Sequence, residues 1–185
     1  MSDPNSDLNR RSLEAFPSWL RTLPADVRVL ASVVEDAAVG DAGRENVAGA
    51  LNYLFKSVDL IADGIEDLGY VDDAFVLRVA AASIELDAVS DGALRTELER
   101  LATDAALVRE FMADDYARLE SYVSGLASLV VRGRSAPAIA GDPEVRQQFF
   151  GELNAWAGHY VMPSFENDDK NLVKLRAFLR TKLAG

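Results

Sequence analysis

The chain has 185 residues, 49% of them hydrophobic, and 30 acidic against 19 basic side chains give it a formal charge of −11. That size fits one domain with a sizeable core, and the hydrophobic share excludes a disordered chain. The charge argues against nucleic-acid phosphate as a partner, and the absence of cysteine excludes disulfides and thiolate metal sites.

Residues 1–16 are polar and contain Pro4. They read as a loose lead-in, without the apolar core of a signal peptide. Phe16, Trp19 and Leu20 offer an apolar handle that would dock this segment onto the body. Pro24 suits a first helical turn, and Val27, Leu30, Val34 and Ala38 follow at helical spacing up to a closing Gly40. A second helix places Val47, Leu51, Leu54 and Val58 on one face. The stretch SVDLIADGIEDLGYVDD (57–73) holds six carboxylates among apolar residues, and its two glycines break it into short turns. A third helix runs from about Asp72 to Leu86, with Phe75, Val76, Val79 and Ile84 as its stripe.

Residues 90–132 carry the most regular pattern. Leu94, Leu98, Leu101, Ala105, Val108 and Met112 alternate four and three apart, as in a coiled-coil seam. A stutter then shifts the seam to Tyr116, Leu119, Val123, Leu126 and Val130, which turns Asp115 toward solvent. Unbroken, such a helix would be roughly 60 Å long, so a break near Thr103–Asp104 is preferred to one protruding helix. RGRSAPAIAG (132–141) reads as a linker. Asp142 then serves as N-cap and Pro143 as first-turn residue for a helix lined by Val145, Phe149, Leu153, Trp156 and Tyr160. After Pro163, Asp168 or Asp169 opens a last helix with Leu172, Leu175, Leu179 and Leu183 on one face. The pattern predicts an all-α helical bundle of about six or seven helices with one long or bent central helix. Its parts are the lead-in 1–16, a body over 17–131, the linker 132–141 and a C-terminal helical pair, 142–185, packed on the body. No apolar run is long enough to span a membrane, and a soluble cytoplasmic protein is expected.

One block is specific. Tyr53, Leu54, Asp59, Leu60, Ile61, Asp63, Ile65, Leu68, Gly69, Asp72 and Asp73 resemble the signature of the YkvA-like family, bacterial helical domains of unknown function. The likeness covers roughly residues 47–82, and Ser57, Ala62 and Glu66 stand where the family pattern has prolines. It implies a small helical module, found alone or inside larger proteins, and supplies no activity.

The aspartates have two readings. As caps, Asp59, Asp63 and Asp72 would each accept hydrogen bonds from the free amides of a following helical turn. As ligands, Asp59, Asp63, Asp72 and Asp73 would offer Mg²⁺ or Ca²⁺ a set of hard oxygens. Capping is preferred. No EF-hand loop, Glu-x-x-His pair or phosphate-binding glycine loop occurs. The single histidine, His159, lies beside no nucleophile motif and reads as a packing or surface residue. Lys170, Lys174, Arg176, Arg180 and Lys182 make the last helix basic, so its apolar face would either pack on the bundle or lie on an anionic membrane surface. The leading expectation is a non-enzymatic interaction or scaffold module that engages a protein partner, or a second copy, through the 90–132 seam. The alternatives are a divalent-metal-binding protein, including a metal-dependent hydrolase, using the four aspartates, and a peripheral membrane protein.

Overall fold

The computed structural model describes residues 4–184, with side chains placed from Ser6 onward. Helices dominate it: α1 (Pro4–Glu35), α2 (Asp41–Tyr53), α3 (Val71–Ala82), α4 (Gly92–Met112), α5 (Tyr116–Gly125), α6 (Ala136–Gly141), α7 (Pro143–His159) and α8 (Asp169–Leu183). The only strands among the described residues, β1 (Val130–Val131) and β2 (Arg134–Ser135), pair as a small antiparallel hairpin. The fold is the all-α bundle that the periodicity predicts.

The loose lead-in is corrected from Pro4 onward, because that segment is the first part of α1; residues 1–3 lie outside the described residues. The helix also continues through Pro17 and through Pro24, where the sequence placed a helix start. An interior proline removes the hydrogen bond to the carbonyl four residues back. For Pro24 that carbonyl belongs to Leu20, and the Tyr160 hydroxyl donates to it at 2.8 Å. Burial of Phe16, Leu20, Leu23, Val27 and Leu30 supports the remainder of the helix. It ends at Glu35, so Gly40 precedes α2 and does not close α1.

The α2 helix stops at Tyr53, short of Val58, which is 70% exposed. Gly49 explains how tightly its middle packs, since a Cβ there would fall 2.7 Å from the Ala127 backbone nitrogen. The central helix is unbroken at Thr103–Asp104. Its interruption lies at Ala113, with φ of 49°, followed by a 3-10 turn to Asp115, at the stutter itself. Asp115 does not face solvent either. It is buried, and Arg118 and Arg180 hold its two oxygens at 3.0 and 2.7 Å. A stutter in an isolated seam turns this position outward, whereas here α5 packs on α3 and α8 and Asp115 meets Arg180 of α8. The expected linker is also structured: it forms the hairpin and α6, whose Ala136, Ile139 and Ala140 are buried. Asp142 and Asp168 cap α7 and α8 as predicted, accepting from Glu144 and Lys170 backbone N–H groups at 2.9 Å.

One ion-pair network joins the central helices. Arg78 of α3 is fully buried, and its guanidinium donates to Asp26 of α1 and Asp104 of α4, each at 3.1 Å. Arg100 adds a 2.7 Å bond to the other Asp26 oxygen, and the Arg78 guanidinium lies 4.2 Å from the centre of the Trp19 ring. Replacing Arg78 with methionine leaves the buried Asp26 carboxylate only Arg100 and Thr22 as partners and unpairs Asp104 from it, so a loss of about 3 kcal/mol is expected in urea unfolding. Asp26→Asn combined with Arg78→Met should recover much of that loss.

Candidate functional site

The acidic stretch forms the link between α2 and α3. Capping predicts helical turns after Asp59 and Asp63, yet residues 54–70 contain no helix, only turns and bends. The turns close through backbone bonds such as Gly69 N–H to Ile65 O at 2.9 Å. Nor does Asp72 cap α3. The N-cap is Tyr70, in the left-handed conformation and without a side-chain capping bond, and Asp72 sits one residue inside the helix. The capping assignment is therefore corrected for all three residues. Burial of Leu60, Ile61 and Leu68 draws the loop down onto the core, and a loop held that way has no helix start to cap.

What Asp72 does is tie the loop to α2. Its Oδ2 accepts the Tyr53 hydroxyl at 2.5 Å and the Ile61 amide at 3.0 Å, and the Leu60 amide donates to the Tyr53 oxygen at 2.7 Å. Gly69 lets the loop close, because a Cβ at that position would run into the Asp63 carbonyl oxygen. From the other side, Asn171 of α8 donates to the Asp67 carbonyl at 3.0 Å, and the Lys174 ammonium reaches the Glu66 carbonyl at 3.3 Å.

This folding sets the four acids near enough for repulsion among them: Asp72 and Asp63 act on Asp59, Asp63 acts on Asp72, and Asp72, Asp63 and Asp59 act on Asp73. Asp72 and Asp73 are buried, Asp59 is half-buried and Asp63 is exposed. Asp59 Oδ1, Asp72 Oδ1 and Asp73 Oδ2 are buried without a hydrogen-bond partner. Desolvation leads in every case. It pushes Asp59 up to about 7, with Asp72 and Asp63 adding repulsion and Lys56 opposing. It raises Asp63 against a bond from Tyr70, and Asp72 against the bonds from Tyr53 and Ile61. Asp73 is raised well above the ordinary carboxylate range by burial and then by the other three.

Beside the acids, the rings of Tyr70, Trp156 and Tyr160 form a three-way cluster with centroid separations of 5.2–6.2 Å. Burial pushes the Tyr70 hydroxyl up to about 12, helped by Asp63, Asp73 and Asp59. The sequence placed Trp156 and Tyr160 on one helix face but gave no sign that they meet Tyr70. Lys56, also unmarked in the sequence, donates to the Tyr122 hydroxyl at 2.9 Å and lies 5.8 Å from the Tyr53 ring centre. His159 is exposed, its ring nitrogen 2.7 Å from the Ala155 carbonyl oxygen. No three His, Cys, Asp or Glu side chains among the described residues are grouped to hold a metal ion. No protein family, curated protein or solved structure matches this chain.

The raised carboxylates fix the sign of a pH effect. A group whose folded pKa exceeds its unfolded value holds a proton that the unfolded chain has already released, so its contribution to stability falls as pH rises between the two values. With Asp59 moving from 3.8 to about 7, the cluster should lower stability across that window. The melting temperature in low-salt, cation-free buffer is expected to be higher at about pH 5 than at about pH 7.5, and Asp59→Asn should flatten the difference.

Proposed function

We propose that the chain is a cation-binding helical protein whose site is formed by Asp59, Asp63, Asp72 and Asp73. The observation that carries this reading is a contrast between its two buried acidic groups. Asp26 and Asp104 are neutralised by Arg78 and Arg100. Asp59, Asp72 and Asp73 each have an unpartnered buried oxygen, and among the described residues no arginine or lysine forms an ion pair with them or with Asp63. Buried like charges cost several kcal/mol unless they are protonated or matched by a cation. At neutral pH a bound cation offsets that cost.

The competing expectations draw less support. The 90–132 seam residues Leu98, Leu101, Val108, Leu119 and Val123 lie in the core of this same chain, which leaves that surface covered. The apolar face of α8 is likewise used, with Leu172, Leu175 and Leu179 buried. Its cations meet the protein itself: Arg176 bonds the Phe111 carbonyl at 3.1 Å and Arg180 holds Asp115. Among the described residues no helix is long and apolar enough to cross a membrane. The YkvA-like resemblance fits the reading in one respect, because its signature positions include all four aspartates and Tyr53.

Calorimetric titration at about pH 7.5 with Mg²⁺, Ca²⁺, Mn²⁺ and the diammonium ion putrescine tests this function. At least one should give a saturable isotherm, and Asp73→Asn should weaken it by tenfold or more, a loss of roughly 1.4 kcal/mol or more. Silence with all four cations would reject the reading. Gly69→Ala provides a second check. Displacing the Asp63 backbone should weaken binding without removing an acidic group, while circular dichroism shows the helices intact.

A further inference from the structure

The interruption of the central helix is one that its own residues do not call for. Ala113, Asp114 and Asp115 include no glycine or proline, and alanine is the best helix former. The step from Met112 to Tyr116 is four residues, a spacing that an uninterrupted helix keeps on one face. We propose that α8 is a releasable strap that holds the α4–α5 helix bent at Ala113, and that its release lets the helix run on through that residue.

Three observations carry it. First, Ala113 has φ of 49° and ψ of −122°, a conformation that glycine tolerates and that a residue with a Cβ adopts only under constraint. Second, α8 occupies the groups that a continuous helix would use. In an unbroken helix the Phe111 carbonyl accepts the Asp115 amide, four residues on. Here that carbonyl accepts Arg176 Nε–H at 3.1 Å, with the guanidinium 4.3 Å from the centre of the Phe111 ring. Arg180 Nε–H holds Asp115 Oδ2 at 2.7 Å on the far side of the bend. Third, close packing does not enforce the bend. A cavity of about 250 Å³ adjoins it, lined by Phe111, Ala113, Asp115, Arg176 and Arg180 among others. The arginines span the bend, and the space beside it leaves the backbone room to move.

The strap has a second hold. Near its start, the Asn171 amide and the Lys174 ammonium fasten the Asp67 and Glu66 carbonyls of the acidic loop. Release of α8 therefore loosens that loop and relieves Ala113 in one step, as a two-state element does. Along the same helix Leu172, Leu175 and Leu179 are buried, which keeps the closed form dominant. Strain at Ala113 works against that closure and sets how often α8 opens. The inference does not depend on cation binding.

Hydrogen exchange on the full chain tests the strap. A free helix of 15 residues is marginal in water, so the α8 amides exchange when the helix leaves the bundle. Ala113→Gly removes the strain from the closed form and should slow exchange across α8 by about five- to hundredfold, more than across α3. Ala113→Val places a branched side chain at the bend and should speed it. With Arg176→Gln and Arg180→Gln in place the bend is no longer held, and adding Ala113→Gly should then change α8 exchange by less than about twofold. Circular dichroism shows which variants fold, and Ala113→Gly alone decides the case if the valine variant does not. Equal α8 exchange in the parent chain and Ala113→Gly would overturn the proposal. So would an equal effect of Ala113→Gly with and without the two arginines. No step uses a cation, so the outcome is read apart from that of the calorimetric titration.

Discussion

The Asp72 carboxylate is the joint on which the candidate site depends. One of its oxygens fastens the end of α2, through the Tyr53 hydroxyl, and the acidic loop, through the Ile61 amide, to the first turn of α3. Three segments therefore share one buried acceptor. The strength of such a joint comes from being charge-assisted and shielded from water. Its cost is that the second oxygen is buried without a partner, beside Asp73 and within the field of Asp63. The same residue that shapes the loop thus creates the unmet electrostatic demand from which the functional reading follows.

That demand is clear because the bundle contains a control. Asp26 is as deeply buried as Asp72, yet two arginines and the Thr22 hydroxyl surround it. Both sites answer the same physical rule, that a buried charge must be paired or solvated. In the first the answer lies within α1, α3 and α4. In the second the protein supplies the Tyr53 hydroxyl, the Ile61 amide and the field of Lys56, and no ion pair.

Much of the fold could be read from residue spacing, and what could not has identifiable causes. Asp142 with Pro143, and Asp168, announced their helices because capping is a local interaction between neighbours in sequence. Pro24 misled because local propensity favours a helix start, whereas burial and the hydroxyl of Tyr160, 140 residues from Leu20, decide the outcome. The stutter was visible in the seam, but its result, an interruption at Ala113 with Asp115 drawn inward, required the α8 arginine that receives it. At the site, the four acidic positions are evident in the sequence. Capping fails for Asp59, Asp63 and Asp72 because it reads only the next few residues. The decisive partners, Tyr53 for Asp72 and Trp156 for Tyr70, lie far away along the chain.

The distribution of charge has a kinetic consequence. With −11 overall and the α8 arginines Arg176 and Arg180 engaged by the protein's own acceptors, the long-range potential is strongly negative. Such a field gathers small positive solutes and speeds their encounter with the acidic loop, an effect that fades as the Debye length shortens from about 30 Å at 0.01 M salt to about 8 Å at physiological ionic strength. Departure from buried carboxylates is governed by short contacts and is far less sensitive to salt. Ionic strength should therefore act on capture much more than on residence time.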